Sequence, residues 1–113
     1  MADVFTPWPP GERELGWLAG LLEGEGSFYQ TKEGYPAISI GMNDEDVIAH
    51  AAKLMGVSVS PFVPKTGKTT YRVHIKSRVR AGRIMSTLYP LMGERRQRQI
   101  VAALRFPEAA DGE

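Results

Sequence analysis

Residues 12–26 constrain the fold of this chain most strongly. They are typical of a helix that is apolar on nearly every side and that ends with two glutamates. The apolar side chains recur at helical spacing on two adjoining faces: Leu15, Leu18, Ala19 and Leu22 on one, and Trp17 and Leu21 on the other. A helix of this kind must be buried on several sides. The chain therefore needs packing surfaces around this helix before anything else.

Composition places the rest of the chain in a simple class. It has 113 residues, no cysteine and two histidines, with 42% hydrophobic and 24% charged residues, which is typical of one globular domain. The absence of cysteine excludes a disulfide framework and thiolate metal sites. No apolar run is long enough for a membrane span, and no basic and apolar leader marks secretion. We expect a protein that acts inside a cell, and the frequent Ala, Arg, Gly and Pro fit a GC-rich bacterial or phage genome.

The net charge of +1 hides a strong asymmetry. Residues 1–64 carry three basic and nine acidic side chains, whereas residues 65–113 carry eleven basic and four acidic ones. Between Lys65 and Arg105 the only acid is Glu94. A split of this kind indicates a basic surface for a polyanion, although a solvated basic face without a partner is the equal alternative from charge alone.

Apolar periodicity and turn residues predict an α+β domain in the order α-β-β-α-β-β-α-α. The first helix covers residues 12–23. The second runs from a cap at Asn43 or Asp44 to Gly56, the third from a cap at Ser77 to about residue 88, and the last over residues 94–104. Strands are predicted over residues 27–32, 37–42, 57–63 and 69–76. Residues 1–11 read as an extended lead-in, residues 12–106 as the domain and residues 107–113 as a polar tail.

The acidic end of the first helix is unusual. Glu23 and Glu25 lie at the negative end of the helix dipole, where each carboxylate is disfavoured by about 0.3–1 kcal/mol. Gly24 lies between them and Gly26 follows Glu25, so another group can approach closely. A hard divalent cation suits carboxylate and carbonyl oxygens. The equal alternative is a glycine cap with two solvated glutamates.

The nine residues 18–26, Leu-Ala-Gly-Leu-Leu-Glu-Gly-Glu-Gly, resemble the signature of the LAGLIDADG homing endonuclease family. The flanking residues 14–17 and 27–28 and the element order also fit, so the resemblance covers about residues 12–105. It implies a curved antiparallel sheet of four strands, packed on helices on one side and seated in the DNA major groove on the other.

The resemblance also implies site residues. Glu25 takes the place of the acid that binds the catalytic metal, Mg²⁺ or Mn²⁺, and Gly24 can add its backbone carbonyl. Glu23 takes a place that more often serves structure at the helix end. Arg96 aligns with a basic residue beside the scissile phosphate, and Asn43 or Asp44 with a polar residue that positions water. We treat Glu25, Arg96, Asn43 and Asp44 as the catalytic candidates.

The chain carries one copy of the motif, which would cut one of two DNA strands, so we expect a homodimer. The alternative is a monomer whose first helix is buried by its own sheet. The interface is predicted on the first helix, at Leu15, Gly16, Leu18, Ala19, Gly20 and Leu22. Strand alternation and the basic hairpin predict DNA contacts at Ser27, Tyr29, Thr31, Ser39, Lys65, Lys68, Arg72, His74 and Lys76.

The sequence thus predicts a homodimeric, metal-dependent, site-specific endonuclease of double-stranded DNA, with no membrane partner. Two alternatives remain: a DNA-binding regulator that does not cleave, and an RNA-binding intron maturase. The retained carboxylate at Glu25 and the lack of an added DNA-binding domain argue against a regulator. Nothing in the sequence argues against the maturase.

Overall fold

The computed structural model describes residues 7–105, which form four α-helices and four strands in the predicted order. Most of the predicted lead-in, position 106 and the predicted tail lie outside these residues. The elements are α1 (Glu12–Glu25), β1 (Gly26–Gln30), β2 (Pro36–Met42), α2 (Glu45–Met55), β3 (Ser60–Phe62), β4 (Thr70–Ile75), α3 (Arg78–Leu88), a short 3₁₀ turn (Tyr89–Leu91) and α4 (Glu94–Leu104). No helix within this part of the chain is long and apolar enough to cross a membrane.

The four strands form one antiparallel sheet in the order β1-β2-β4-β3. Side chains alternate between its two faces, as the sequence pattern predicts. One face is buried beneath the helices and carries Phe28, Ile38, Ile40, Val73 and Ile75. The other, which we call the open face, carries Ser27, Tyr29, Ser39, Gly41, Ser60, Phe62, Thr70, Arg72 and His74.

The helices supply the other side of a single core. Leu18 and Leu22 of α1, Ile48 of α2, Met85 of α3 and Ile100 of α4 are all fully buried. Trp8 is anchored on this layer, because it packs against the core and its indole Nε1 donates to Thr87 Oγ1 at 3.2 Å. The α+β architecture with helices on one face of the sheet is therefore confirmed.

The third strand is much shorter than the predicted 57–63. Gly56 ends α2 in the left-handed conformation, with φ of 74°, and the Val57 amide donates to the Ala52 carbonyl at 3.0 Å. This pair of contacts is a helix C-terminal motif, so Val57 belongs to the end of α2. Val57 and Val59 pack against the core, and pairing with β4 begins only at Ser60.

Candidate nucleic-acid interface and metal site

The first helix runs two residues further than predicted, and Glu25 is its last residue. The next residue, Gly26, is extended, with φ of −86° and ψ of 170°, and it is already paired with Ile40 in the sheet. A Cβ atom on Gly26 would lie 2.7 Å from Leu22 Cδ2 and 2.9 Å from the Leu22 carbonyl oxygen. The glycine is thus needed for a direct passage from helix to strand, which holds Glu25 at the edge of the sheet.

Glu23 and the start of α4 hold each other. The Glu23 carboxylate accepts a hydrogen bond from the Gly93 amide at 2.7 Å, next to the N-terminus of α4. In return, Arg96 Nε donates to the Glu23 carbonyl oxygen at 2.9 Å, and Arg96 Nη1 donates to Gln99 Oε1 at 2.9 Å. We call this set Glu23, Gly93 and Arg96 the α1–α4 clasp. It places a cation at the C-terminal end of α1 and a carboxylate at the N-terminal end of α4, as both helix dipoles favour.

The clasp corrects the role predicted for Arg96. The side chain is only 6% exposed, and two of its donors are engaged within the chain, so it is not available to a phosphate at the surface. A buried arginine therefore offsets part of the negative charge at the end of α1. The sequence does carry a signal for this burial: Arg96, Ile100 and Ala103 lie three and four residues apart and form the buried face of α4. The same contacts exclude the alternative of two solvated glutamates, since Glu23 is bonded and only half exposed.

Glu25 differs from Glu23 in having an exposed side chain. Within residues 7–105 its carboxylate has no ion pair or side-chain hydrogen bond. The last carbonyl groups of a helix lack internal partners, and together with a carboxylate they are ligands that Mg²⁺ accepts. No cluster of three or more acidic, histidine or cysteine side chains that could hold a metal occurs in this part of the chain. A metal at Glu25 and the Gly24 carbonyl would therefore need further oxygens from water, from a phosphate or from a second copy of the chain.

Asn43 and Asp44 lie at the same edge of the sheet as Glu25. Gly26 pairs with Ile40, so the residues that follow β2 are beside the end of α1. The Asn43 amide nitrogen donates to the Thr69 carbonyl at 2.9 Å and ties the end of β2 to the start of β4. Asp44 is the N-cap of α2, but its side chain makes no capping hydrogen bond. Asn43 thus has a structural contact, and a catalytic role for either residue stays a prediction.

Two rows of side chains cross the open face. Ser27, Ser39 and His74 are aligned across β1, β2 and β4, and Gly41, Arg72 and Ser60 are aligned across β2, β4 and β3. A hollow of ≈ 160 Å³ between the rows is lined by Ser39, Ile40, Gly41, Arg72 and His74. Arg72 and His74 are exposed, whereas Tyr71, Val73 and Ile75 point to the other side. The alternation predicted for β4 therefore holds.

The remaining predicted contact residues have more varied places. Lys65 and Lys68 are exposed in the loop before β4, and Lys76 is exposed just after it, while Tyr29 is half-buried on β1. Thr31 is in the turn and not in the strand, because its Oγ1 accepts from the Tyr35 amide at 3.2 Å and its amide donates to the Tyr35 carbonyl at 2.8 Å. Its hydroxyl is thereby used to close the β1–β2 hairpin.

The outer face of α1 differs from the interface predicted for it. Leu18, Ala19 and Leu22 are at most 5% exposed in the single chain, so the prediction that they contact a partner is wrong: the chain's own sheet and helices cover them. Leu15 is half-buried against the same core. Gly16 and Gly20 are exposed, as is Gly24 one turn further, and a Cβ atom on any of the three would meet nothing within 4 Å.

Trp17, His50 and Glu14 form a group beside these glycines that the sequence did not predict. Trp17 is 37% exposed, and its ring centroid lies 4.5 Å from that of His50 on α2. His50 Nε2 is 2.9 Å from Glu14 Oε1. No spacing rule along the chain links α1 to α2 here, because the group forms only when the two helices pack.

The amino-acid sequence matches no protein-family model and no curated protein. Solved structures do match. The archaeal intron-encoded homing endonuclease I-Vdi141I, complexed with DNA, is 16% identical with a TM-score of 0.60, over 80% of this chain and 65% of that one. The group I intron-encoded homing endonuclease I-CeuI, complexed with DNA, is 16% identical with a TM-score of 0.58, over 89% and 54%. The homing endonuclease I-CvuI, in a complex in which the DNA is not cleaved, is 13% identical with a TM-score of 0.57, over 86% and 69%.

This chain thus spans between 54% and 69% of the length of those three proteins. At 13–16% identity the likeness concerns the fold of the backbone. The resemblance of residues 18–26 pointed to the same group of proteins. The chain has the fold of the LAGLIDADG homing endonucleases.

Proposed function

We propose that this protein is a homodimeric, divalent-metal-dependent endonuclease that cuts double-stranded DNA at a specific site inside the cell. The observation that carries the proposal is the position of Glu25. It is an exposed carboxylate at the carbonyl end of a helix, and it lies at the edge of a sheet face that carries small polar and basic side chains.

DNA suits the open face for a chemical reason. The face holds hydroxyls at Ser27 and Ser39 and a cation at Arg72, and the exposed Lys76 follows β4 directly; these groups are donors and acceptors for base edges and phosphates. Lys65 and Lys68 in the adjoining loop add exposed charge for the DNA backbone. The three similar structures are of homing endonucleases, and their DNA complexes support the choice of DNA over other polyanions.

The ligands at the end of α1 support the metal. Mg²⁺ is commonly held by one or two carboxylates together with phosphate oxygens and water, and one chain provides Glu25 and the Gly24 carbonyl. A bound Mg²⁺ supplies polarisation of the phosphate and activation of water. The chain's own part is to fix the backbone that carries Glu25, through the α1–α4 clasp at Glu23 and the direct entry of α1 into β1.

The dimer is supported by the three exposed glycines of α1. Each glycine in a helix interior costs about 1 kcal/mol relative to alanine, and nothing within residues 7–105 occupies the space beside Gly16, Gly20 or Gly24. A second α1 crossing at these positions uses that space, and Trp17 and the Glu14–His50 pair flank the contact. The crossing brings the two Glu25 carboxylates together, where they repel each other unless cations lie between them.

The test is a selection from a randomised duplex DNA library, followed by incubation of the selected duplexes with Mg²⁺ or with a chelator. We expect one enriched site with approximate two-fold symmetry, and cleavage of both strands only with Mg²⁺. A protein that enriches no DNA sequence contradicts the proposed DNA recognition. A protein that binds its site but never cleaves it with Mg²⁺ or Mn²⁺ is the non-cleaving regulator, which contradicts the proposed chemistry.

A further inference from the structure

Arg72 is held on the open face by an aromatic ring. Its guanidinium carbon lies 4.5 Å from the ring centroid of Phe62. The two residues belong to neighbouring strands, because Ser60 is the partner of Arg72 and Phe62 is the partner of Thr70. Arg72 and Phe62 thus share the open face on a diagonal, where a long side chain reaches an aromatic ring. Phe62 itself is 46% exposed and does not belong to the buried hydrophobic cluster of the described residues.

The contact with the ring leaves the N–H donors of Arg72 without a partner. A guanidinium that contacts a ring through its carbon atom keeps its N–H groups as donors for other partners. Within residues 7–105 no carboxylate pairs with Arg72 and no side-chain hydrogen bond engages it. The neighbouring positions are small: Gly41 and Ser60 flank it in the same row, and Ser39 lies in the next one. The result is a set of unpaired donors on a residue that lines a hollow of ≈ 160 Å³.

We propose that Arg72 is a specificity-determining residue that reads guanine, and that Phe62 is the residue that positions it. This inference rests on the proposed DNA-binding function. Guanine presents two acceptors, N7 and O6, on its major-groove edge, and the two-donor edge of an arginine matches them. A phosphate can be bound by a mobile cation at the rim, as Lys65 and Lys68 can do. An arginine that is aligned on an inner strand beside small residues is instead arranged for a base.

Phe62 acts through Arg72. Without the ring, the arginine side chain moves among many rotamers and must be ordered again on binding, so the preference for guanine falls although the charge remains. The effect of the ring is therefore on sequence preference and not on the total attraction to DNA.

The experiment is a binding selection from a randomised duplex library, carried out in parallel with the wild type and four variants. Arg72→Lys keeps the charge but loses the paired donor edge, and Phe62→Leu keeps an apolar side chain but loses the ring. Arg98→Ala removes one arginine charge on the outer face of α4, where Arg98 faces Glu94 at 3.8 Å. Val63→Ala is the control for β3, since Val63 is 72% exposed next to Phe62. Circular dichroism confirms that each variant is folded.

We expect the wild type to require guanine at one position of each half-site. Arg72→Lys should reduce that preference about tenfold or more, and Phe62→Leu about two- to fivefold, with the rest of the site unchanged. Arg98→Ala and Val63→Ala should leave the preference intact. A selected site without a guanine that depends on Arg72 overturns the inference that Arg72 reads guanine. A Phe62→Leu variant that keeps the full guanine preference overturns the positioning role of Phe62. If the wild type enriches no site at all, the proposed function itself has failed.

Discussion

Replacing Arg96 by methionine tests the α1–α4 clasp. Arg96 is 6% exposed and donates to the Glu23 carbonyl at 2.9 Å. A hydrogen bond from a charged donor contributes about 1.5–3 kcal/mol, and this one also places a cation at a helix C-terminus. Methionine fills similar space but leaves the carbonyl end of α1 unpaired. Because the buried guanidinium itself is costly to desolvate, we expect the net loss in unfolding free energy to lie near the lower end, about 2 kcal/mol.

The assay is urea unfolding followed by circular dichroism, at one protein concentration for all variants because association shifts apparent stability. Arg95→Met is the matched control, since Arg95 is the exposed neighbour on the same helix, and its effect should stay within about 0.5 kcal/mol. A midpoint for Arg96→Met that equals that of Arg95→Met would refute the clasp. Arg96→Met should also unfold with the same dependence on urea, because the same surface is exposed.

Two further predictions concern the two molecular surfaces. Gly20→Ala should weaken dimerisation at least about tenfold in sedimentation equilibrium, while adding about 1 kcal/mol of helix stability to the monomer. The control Gly82→Ala, whose Cβ would lie 3.8 Å from Leu104 Cδ2, should leave dimerisation unchanged. Equal association by the two variants would argue against the α1 contact. Lys76→Ala should reduce the slope of log affinity against log salt by about 0.9, the value for one phosphate, with no change in the selected site; an unaltered slope would remove Lys76 from the DNA backbone.

The sequence was a good guide to the fold where its signals are periodic. Strict alternation in β4 placed Arg72 and His74 on one face and Val73 on the other, as the structure has them. The cap at Ser77 was also found, and its hydroxyl accepts from the Arg80 amide at 3.3 Å. Periodicity misled at β3, because the apolar Val57 and Val59 serve the end of α2 and the core instead of a strand.

The candidate site was harder to predict, since it depends on contacts between distant segments. Apolar spacing on α1 identified Leu18 and Leu22 correctly as buried, but a partner helix was favoured over the chain's own core, which is what covers them. The acidic helix end was recognised as a place for a positive charge, and that charge is in part Arg96, which is 73 residues away from Glu23. Only Glu25 keeps the exposure that a metal ligand needs. Gly26 was recognised as permitting close approach, and the approaching atoms belong to Leu22.

The most direct test of the endonuclease proposal compares Glu25→Gln with Glu23→Gln on the selected DNA site, with binding measured in Ca²⁺ and cleavage in Mg²⁺. Glutamine at position 25 keeps the shape but removes the charge that holds the metal, so binding should persist while cleavage falls at least about a hundredfold. Glutamine at position 23 can still accept from the Gly93 amide, so cleavage should stay near the wild-type rate. A Glu25→Gln protein that cleaves as fast as the wild type would contradict the account.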